Sequence, residues 1–341
     1  MPASAITALQ LLQWGLEVAA THGTAVAATS KIACEGITFT PLDTVAHPRI
    51  AKGILAANPG NFTHVMRGTD FTVAESPLVY DQFQNWLRMA VVGAVAASGG
   101  VAPFTWAFAR SMTVDPAPDS FTIERRLSDG ANFIDNEWAY CMLRTLRIAY
   151  AAGEPLRFSA DGFARRIQGS TLTAAQALPT VEIPPAALAT LKIDSTWATV
   201  GQTAVSSQLL SAEVIFKTGL VPKMTLDGRT DLDFTTYILN PEEVDLDVTL
   251  RMLIKTSSGQ FATEKTAAEA AEQTLRAVRL NIAGTSSRQL QIDMLLKHAL
   301  GSLQTIASED GQDIVEMKFV GATDATNLLN IVLINTVGTI V

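Results

Sequence analysis

A short alternating pattern occurs twice in the chain and constrains the fold more than any other feature. Its first copy is Leu143-Arg-Thr-Leu-Arg-Ile148, then a glycine-containing turn, then Leu156-Arg-Phe-Ser159. The second copy is Leu275-Arg-Ala-Val-Arg-Leu280, another turn with glycine, then Leu290-Gln-Ile-Asp293. Positions 275 and 143 are 132 residues apart, and positions 290 and 156 are 134 apart. Two matches at nearly the same spacing predict that one fold occurs twice.

The length of the chain and a stretch near its middle fit this prediction. A chain of 341 residues ordinarily forms about two domains. Residues 168–192 have no strong period and contain a glycine and three prolines, which is typical of a connection. We therefore expect a first domain at 1–178, with an N-terminal arm and a long loop, and a second domain at 179–341.

Charged residues are scarce. They make up 17% of the chain, whereas roughly 25% is usual. The deficit fits a subunit whose surface is covered by neighbours, and it also fits an ordinary alanine-rich globular protein. The net charge of −8 argues against a surface that grips nucleic acid, but not against a channel through which nucleic acid slides.

Most of the patterned segments alternate apolar and polar residues, which indicates β-strands. Asp161-Gly162 has the composition of a hairpin turn, with a return strand at Phe163 to Ile167. Runs of short strands with few helices predict a mainly β, α+β sandwich or barrel and not a βαβ nucleotide-binding fold. The other predicted strands are Phe104 to Arg110, Phe121 to Leu127, Val244 to Met252, Asp313 to Val320 and Asn327 to Val337.

Two helices are expected, one flanking the strands of each domain. The first starts at Ser76-Pro77, and its apolar stripe is formed by Phe83, Trp86, Leu87, Ala90 and Val91. The second covers Thr263 to Ala277, with Thr266 and Glu269 at capping-box spacing and Glu272 paired with Arg276. Gln10 to Ala20 fits either a short helix or an extended arm. Residues 32–75 are weakly patterned, which is typical of a segment that is either functional or ordered by its neighbours.

The sequence points to no catalytic, cofactor-binding or metal-binding residue, and we expect no enzyme activity. The four histidines lack zincin spacing, and no phosphate-binding loop or nucleophile elbow is present. Asp227, Asp231 and Asp233 lack the glycine and glutamate of a calcium loop. Cys34 and Cys141 are expected to be buried reduced thiols.

No membrane association is expected. Residues 1–16 lack the basic start and cleavage pattern of a signal peptide. The long uncharged run between Arg88 and Arg110 contains Gly99-Gly100 and Pro103, which would break a spanning helix.

Two β-rich units would expose strand edges, and unblocked edges pair. The stretch Tyr140-Cys-Met-Leu-Arg-Thr-Leu-Arg-Ile-Ala-Tyr-Ala-Ala-Gly-Glu-Pro-Leu-Arg-Phe-Ser-Ala-Asp-Gly162, preceded by Asp119-Ser-Phe-Thr-Ile-Glu124, resembles the tail tube proteins (major tail proteins) of long non-contractile-tailed bacteriophages. The start, Trp14-Gly-Leu-Glu-Val-Ala-Ala-Thr-His-Gly-Thr-Ala-Val-Ala-Ala-Thr29, and the ending around Asn335 are also similar to that family.

The resemblance implies a β-sandwich with a flanking helix whose strands join a ring-shaped β-barrel. A two-copy chain implies homotrimeric rings with pseudo-sixfold symmetry, stacked into a hollow tube for genome ejection. The implied partners are the tape measure protein and genomic DNA in the lumen, and tail terminator and tail tip proteins at the tube ends. The implied location is the virion, and the family has no active site to transfer.

Alternatives remain open at this point. A tail terminator, a baseplate hub or an injection-system tube would share the fold, and a carbohydrate-binding or hydrolytic β-sandwich is a different class of protein. Asp245 and Asp247, on the polar face of a clean strand, are candidates for the lumen, but they fit a solvated outer surface equally well.

Overall fold

The computed structural model describes residues 10–46, 63–174, 176–254, 259–270, 274–285, 287–309, 312–324 and 326–339. These residues form a mainly β structure of seventeen connected strands, with the two α-helices α1 (Tyr80–Ala90) and α2 (Gln260–Glu269). The strands of the first half are β1 (Leu11–Leu16), β2 (Ser30–Lys31), β3 (Ile37–Ala46), β4 (Thr63–Pro77), β5 (Phe104–Ala109), β6 (Phe121–Ser128), β7 (Phe133–Ala151), β8 (Arg157–Ala164) and β9 (Gln168–Gly169). Those of the second half are β10 (Ala189–Asp194), β11 (Ala204–Val205), β12 (Leu209–Lys223), β13 (Thr236–Leu253), β14 (Arg276–Ala283), β15 (Gln289–Glu309), β16 (Gln312–Gly321) and β17 (Leu329–Asn335).

Eight strands form one continuous antiparallel run in the order β3-β4-β8-β7-β12-β13-β16-β15. Alternation along the central strands explains why one face of this run is buried there. In β13, Leu246, Val248, Leu250 and Met252 are buried, while the residues between them are half-buried or exposed. The period of two places every second side chain on the same face. The alternation predicted for Val244 to Met252 is thus confirmed.

The same scheme of strand pairing occurs in both halves. β6 pairs with β1 and β7, and β14 pairs with β10 and β15. β7 continues to β8 and then β4 and β3, just as β15 continues to β16 and then β13 and β12. α1 follows β4 and α2 follows β13. β5 is the exception, since α2 and β14 have no strand between them in the described residues.

The two copies of the sequence pattern lie in β7–β8 and in β14–β15, and both are antiparallel pairs. Their local registers agree: Ile148 faces Phe158 in the first, and Leu280 faces Ile292 at the matching positions of the second. The complete pairing scheme, however, matches β14–β15 with β6–β7. The repeated sequence pattern therefore marks two strand pairs with the same local register. By its place in the pairing scheme, however, the first-half counterpart of β14–β15 is β6–β7, one strand before β7–β8.

The larger of the two buried apolar clusters in the described residues extends through both halves. Trp14 of β1 packs on Trp86 of α1 with ring centroids 4.8 Å apart, and Trp86 packs on Phe158 of β8 at 5.4 Å. All eleven residues of α1 are buried, because this helix has strands of both halves around it. The predicted stripe from Phe83 to Val91 is confirmed as a core-facing surface.

The hairpin turn predicted at Asp161-Gly162 is wrong, since β8 runs through it to Ala164 and there is no separate return strand at Phe163 to Ile167. Gly162 serves a different purpose. A Cβ there would lie 2.3 Å from the carbonyl oxygen of Met142 and 2.3 Å from the Phe71 ring. The glycine permits a close approach between neighbouring strands, which is the other common use of this residue.

The predicted start of the first helix is wrong by three residues. Ser76 and Pro77 are the last residues of β4, and α1 begins at Tyr80 after Val79. The Ser76 hydroxyl donates to the carbonyl of Ala74 and accepts from the amide of Glu35, so it fixes a strand end and caps no helix.

The predicted second helix is also misplaced. α2 starts at Gln260, three residues before the predicted start, and ends at Glu269. Thr266 lies inside the helix, where its hydroxyl donates to the Ala262 carbonyl, so it does not form a capping box. Arg276 belongs to β14 and pairs with Glu264. Glu272, its predicted partner, lies outside the described residues.

The remaining predicted segments are mostly extended in the structure. The Gln10 to Ala20 segment is extended, as β1 with a short 3-10 turn after it. The weakly patterned residues 32–75 contain two long strands, β3 and β4, because cross-strand pairing replaces the missing local signal. The strands expected at Phe104 to Arg110, Phe121 to Leu127 and Asp313 to Val320 are confirmed. The strand predicted from Asn327 is the shorter β17.

Candidate assembly interface

The first and second halves join edge to edge through β7 and β12. Seven residue pairs connect Thr145–Ala151 with Ser211–Lys217 in antiparallel register. On one face the pairs are apolar and buried: Leu146 with Phe216, Ile148 with Val214, and Tyr150 with Ala212. Main-chain bonds and an apolar face therefore join the halves in the manner of two neighbouring strands of one sheet.

The opposite face of the same junction is polar. Arg147 of β7 forms an ion pair with Glu213 of β12 across the junction. Beside it, the Lys217 ammonium binds the carboxylates of Asp245 at 2.9 Å and Asp247 at 3.0 Å. Hydrogen bonds to these two carboxylates raise the pKa of Lys217. Arg144, Lys217 and Asp245 also line an open cleft of about 510 Å³ with Glu242 and Glu243.

Asp245 and Asp247, the two acids singled out from the sequence, thus do lie together on a polar strand face. One lysine engages both of them, so the pair presents less negative charge than two free carboxylates would. No local sequence pattern predicts this contact, because Lys217 is on a different strand, 28 and 30 residues away.

Helix α1 forms a second link between the halves. The Tyr80 hydroxyl donates to the carbonyl of Ile282 in β14 (3.3 Å). The side-chain amide of Asn335, in β17, donates to the backbone carbonyl of Tyr80 (3.0 Å). Arg288, in the β14–β15 turn, binds Asp81 at 2.7 Å, with both side chains almost fully buried. Thr336 donates to Asp81 as well, from its amide and its hydroxyl.

Burial of Asp81 opposes ionisation, but hydrogen bonds from Arg288 and Thr336 outweigh it, and the pKa of Asp81 is lowered. This pair joins residues 207 positions apart in the sequence. Neither residue belongs to a recognisable motif, and only the packing of α1 against the second half brings them together.

A third link is the strand β5, which lies in the first half of the sequence but pairs with β17 of the second half. Six consecutive residue pairs connect Phe104–Ala109 with Asn330–Asn335. The Trp106 indole donates to the Asn335 side chain (3.2 Å) and to the Val337 carbonyl (3.0 Å). The C-terminal strand is thereby held by a segment that precedes it by more than 200 residues.

Two strand edges stay open at the ends of the eight-stranded run. Among the described residues β3 pairs only with β4, whereas its counterpart β12 pairs with both β13 and β7. The second half of β15 pairs only with β16 in the same residues, whereas its counterpart in β7 pairs with both β8 and β12. The open edge of β3 therefore corresponds to the edge that β12 uses at the β7–β12 junction, and the open edge of β15 corresponds to the edge that β7 uses there.

His22, Ser120 and Glu17 lie together as the residues of a catalytic triad do, but their hydrogen bonds connect them in a different sequence. His22 Nδ1 contacts the Ser120 hydroxyl at 2.7 Å, and that hydroxyl donates to Glu17 at 2.6 Å. Glu17 also accepts bonds from the Thr122 hydroxyl and the Tyr140 amide. In a hydrolase triad the acid orients the histidine, whereas here it binds the serine. The cluster joins β1, β6 and β7 and is a structural node.

The remaining polar candidates from the sequence are also in structural contacts. His64 binds Asp43, and His298 binds Glu264 (2.9 Å); His47 lies outside the described residues. Asp231 and Asp233 pair with arginines. No group of three or more metal-binding side chains is placed to hold an ion within the described part of the chain.

Both cysteines are free thiols. Burial, the largest cause, raises the pKa of Cys34 to about 12, and it raises the pKa of the fully buried Cys141 as well. Thiols with raised pKa values are poor nucleophiles at neutral pH. The description of both as reduced thiols fits these positions.

Within the described ranges, neither helix has the length and apolar character needed to cross a membrane. Comparison with known proteins does not assign the chain to a group: no family model matches it, and no curated protein matches its sequence.

Proposed function

We propose that this chain is a structural subunit of a hollow tube, of the kind found in bacteriophage tails. The observation that supports the proposal is the relation between the β7–β12 junction and the open edges. The junction joins the edge of β12 to the edge of β7. Among the described residues the edges of their counterparts, β3 and β15, stay open at opposite ends. A second copy can therefore add to the first in the way that the two halves add to each other.

Such head-to-tail contacts close into a ring when the rotation per unit divides a full turn. In this proposal the chain consists of two tandem β-sandwich units, at 1–178 and 179–341, that use the same contact. Three copies then provide six units, and the eight-stranded runs become a ring-shaped β-barrel. A closed barrel removes the edges that would otherwise pair without limit.

The charged face of the eight-stranded run would line the lumen. Its cations are largely neutralised by acidic partners. Arg147 binds Glu213 and Lys217 binds Asp245 and Asp247 on neighbouring strands, and Lys318 binds Glu316 on the same strand. A phosphate backbone meets no concentrated positive charge on such a surface, so DNA can pass without being held.

The partners in this proposal are further copies of the chain, a tape measure protein and genomic DNA inside the tube, and terminator and tip proteins at its ends, all in the virion. A tail terminator, baseplate hub or injection-system tube component built on the same unit is the alternative. Copy number in the assembled particle separates these, because a tube subunit is present in many stacked rings and a terminator or hub in one.

Electron microscopy of the concentrated protein, with mass measurement in solution, tests the proposal. The expected result is rings of three chains, with a mass of three times 36.4 kDa, and stacks of such rings. Dilution of the same sample serves as the control and should return single chains. A protein that stays monomeric at every concentration, without rings or tubes, would contradict the proposal.

A further inference from the structure

The end of the β14–β15 hairpin is covered by the first turn of α1. Ile282 and Leu290 are partners across this hairpin, and both are fully buried. Tyr80 of α1 donates to the Ile282 carbonyl. Its ring lies so close that a Cβ on Gly284 would be 2.7 Å from it. A helix from the first half therefore closes the end of a hairpin in the second half.

The equivalent hairpin in the first half, β6–β7, has no such cover from any residue that the structure describes. Leu127 and Ile134 are partners at the second residue pair from its end, the same position that Ile282 and Leu290 occupy in theirs. Ile134 is 64% exposed and the adjacent Phe133 is 61% exposed, whereas Leu290 is 0% exposed. Ile134 thus lies in solvent at the position where the second half buries Leu290, while Phe133 points to the opposite face and packs on the Arg126 guanidinium, 4.2 Å from its ring centroid.

The helix that corresponds to α1 is also incompletely covered. In α2 only Glu264 and Ala267 are buried, although every residue of α1 is. Glu264 holds α2 to its own half through Arg276 (3.0 Å) and His298 (2.9 Å). The rest of the helix presents an exposed side that includes Ala262 and Thr266, one turn apart.

We propose that α2 of one copy covers the exposed end of the β6–β7 hairpin of the next copy. The contact would repeat between chains what α1 and the β14–β15 hairpin do within a chain. It rests on the ring proposed above, but it names a different surface from the β3 and β15 edges. Small residues at 262 and 266 let the helix approach Ile134 closely, and the contact buries apolar surface that is otherwise in water.

Cross-linking of assembled particles tests this contact directly. In a Cys34→Ser background, Ile134→Cys is combined with Ala262→Cys, and in a separate variant with Thr266→Cys, and a short bismaleimide is added. We expect covalent dimers and trimers of the chain in at least one variant, only in assembled samples. The matched control combines Ile134→Cys with Lys318→Cys on the charged sheet face and should give none. Rings without cross-links in either variant, or with equal cross-linking in the control, would overturn the proposal.

A charge substitution gives an independent measurement. We expect Ile134→Asp to raise the concentration needed for half-assembly at least about tenfold while leaving the circular dichroism spectrum of the single chain unchanged. Val101→Asp, at another exposed apolar residue, is the control and should assemble normally. If Ile134→Asp assembles as the unmodified chain does, α2 does not cover this hairpin, although the ring stands. If the unmodified chain itself forms no rings, the proposed function fails instead.

Discussion

At the scale of single residues, the two halves of the chain are held together by a few buried polar contacts. Asp81 is the most connected of them, because it accepts bonds from Arg288 and Thr336 while lying almost entirely out of solvent. A buried charge that loses its partner is costly, since neither water nor another ion replaces the lost bond. If Asp81 were neutralised, Arg288 would keep Glu182 as its ion-pair partner and the Thr336 hydroxyl as a hydrogen-bond acceptor.

Asp81→Asn should therefore lower the free energy of unfolding at pH 7 by roughly 3 kcal/mol. Because the pKa of Asp81 is lowered in the folded chain, its contribution is present at neutral pH. It is lost as the pH falls below about 4, where the unfolded carboxyl takes up a proton, and on through the folded pKa. Urea unfolding at pH 7 and at pH 3 measures this, and the deficit of the variant should shrink at pH 3.

The control for this substitution is Glu269→Gln, which removes an exposed carboxylate 3.9 Å from Lys265. Pairs of this kind contribute less than about 1 kcal/mol. An Asp81→Asn deficit that is equally large at both pH values would show that the ion pair is not its cause.

At the scale of elements, the open edge of β3 has a definite hydrogen-bonding direction. The Gly36 carbonyl accepts from the Ala74 amide at 3.0 Å, which makes positions 36 and 74 a hydrogen-bonded pair. Antiparallel strands alternate such pairs with pairs whose backbone groups point outward. The register continues without a bulge to position 44, so the amides of Phe39 and Asp43 point away from β4. Pro41, on the same side, has no amide to offer.

Assembly should therefore slow amide hydrogen exchange at Phe39 and Asp43 by at least about tenfold, because a neighbouring β15 would accept their bonds. Thr38 and Thr40, whose amides point towards β4, provide the internal control and should be protected in both states. Exchange followed by fragmentation to single residues, on free and assembled protein, makes the comparison. Equal exchange at Phe39 and Asp43 in both states would exclude pairing at this edge.

Element type was largely predictable from sequence, while element partners were not. The alternation from Val244 to Met252 is sufficient to identify β13, because it depends only on which side chains are buried. The β7–β12 junction has no such local signal, since its two strands belong to different halves. Gly162 shows a different limit: the same residue type serves turns and close strand contacts, and only the position of Met142 and Phe71 distinguishes them.

At the scale of the whole molecule, the charge is negative overall and mixed on the proposed lumen face. The net charge is −8, and Lys217 is shared between two acids. Affinity for nucleic acid depends on uncompensated cations that release counterions from phosphates. A conduit requires the opposite property, weak contact along its length.

We therefore expect the unmodified protein to bind duplex DNA more weakly than about 10⁻⁴ M at physiological salt, as measured by fluorescence anisotropy. The double variant Asp245→Lys, Asp247→Lys removes two acids and frees Lys217. It should bind measurably, with an affinity that falls as salt is raised. Tight, salt-sensitive binding by the unmodified chain would contradict a passive lumen.

In the described part of the chain the strand β5 has no counterpart after α2, which ends at Glu269 shortly before β14 begins at Arg276. In a three-chain ring, alternate seams would consequently differ in strength. Three of them would have a continuous polypeptide and the β5–β17 ladder across them, and three would have neither. Mechanical load or denaturant would then break the ring at the three weaker seams. A damaged tube would therefore lose whole folded chains, the same units from which it assembled.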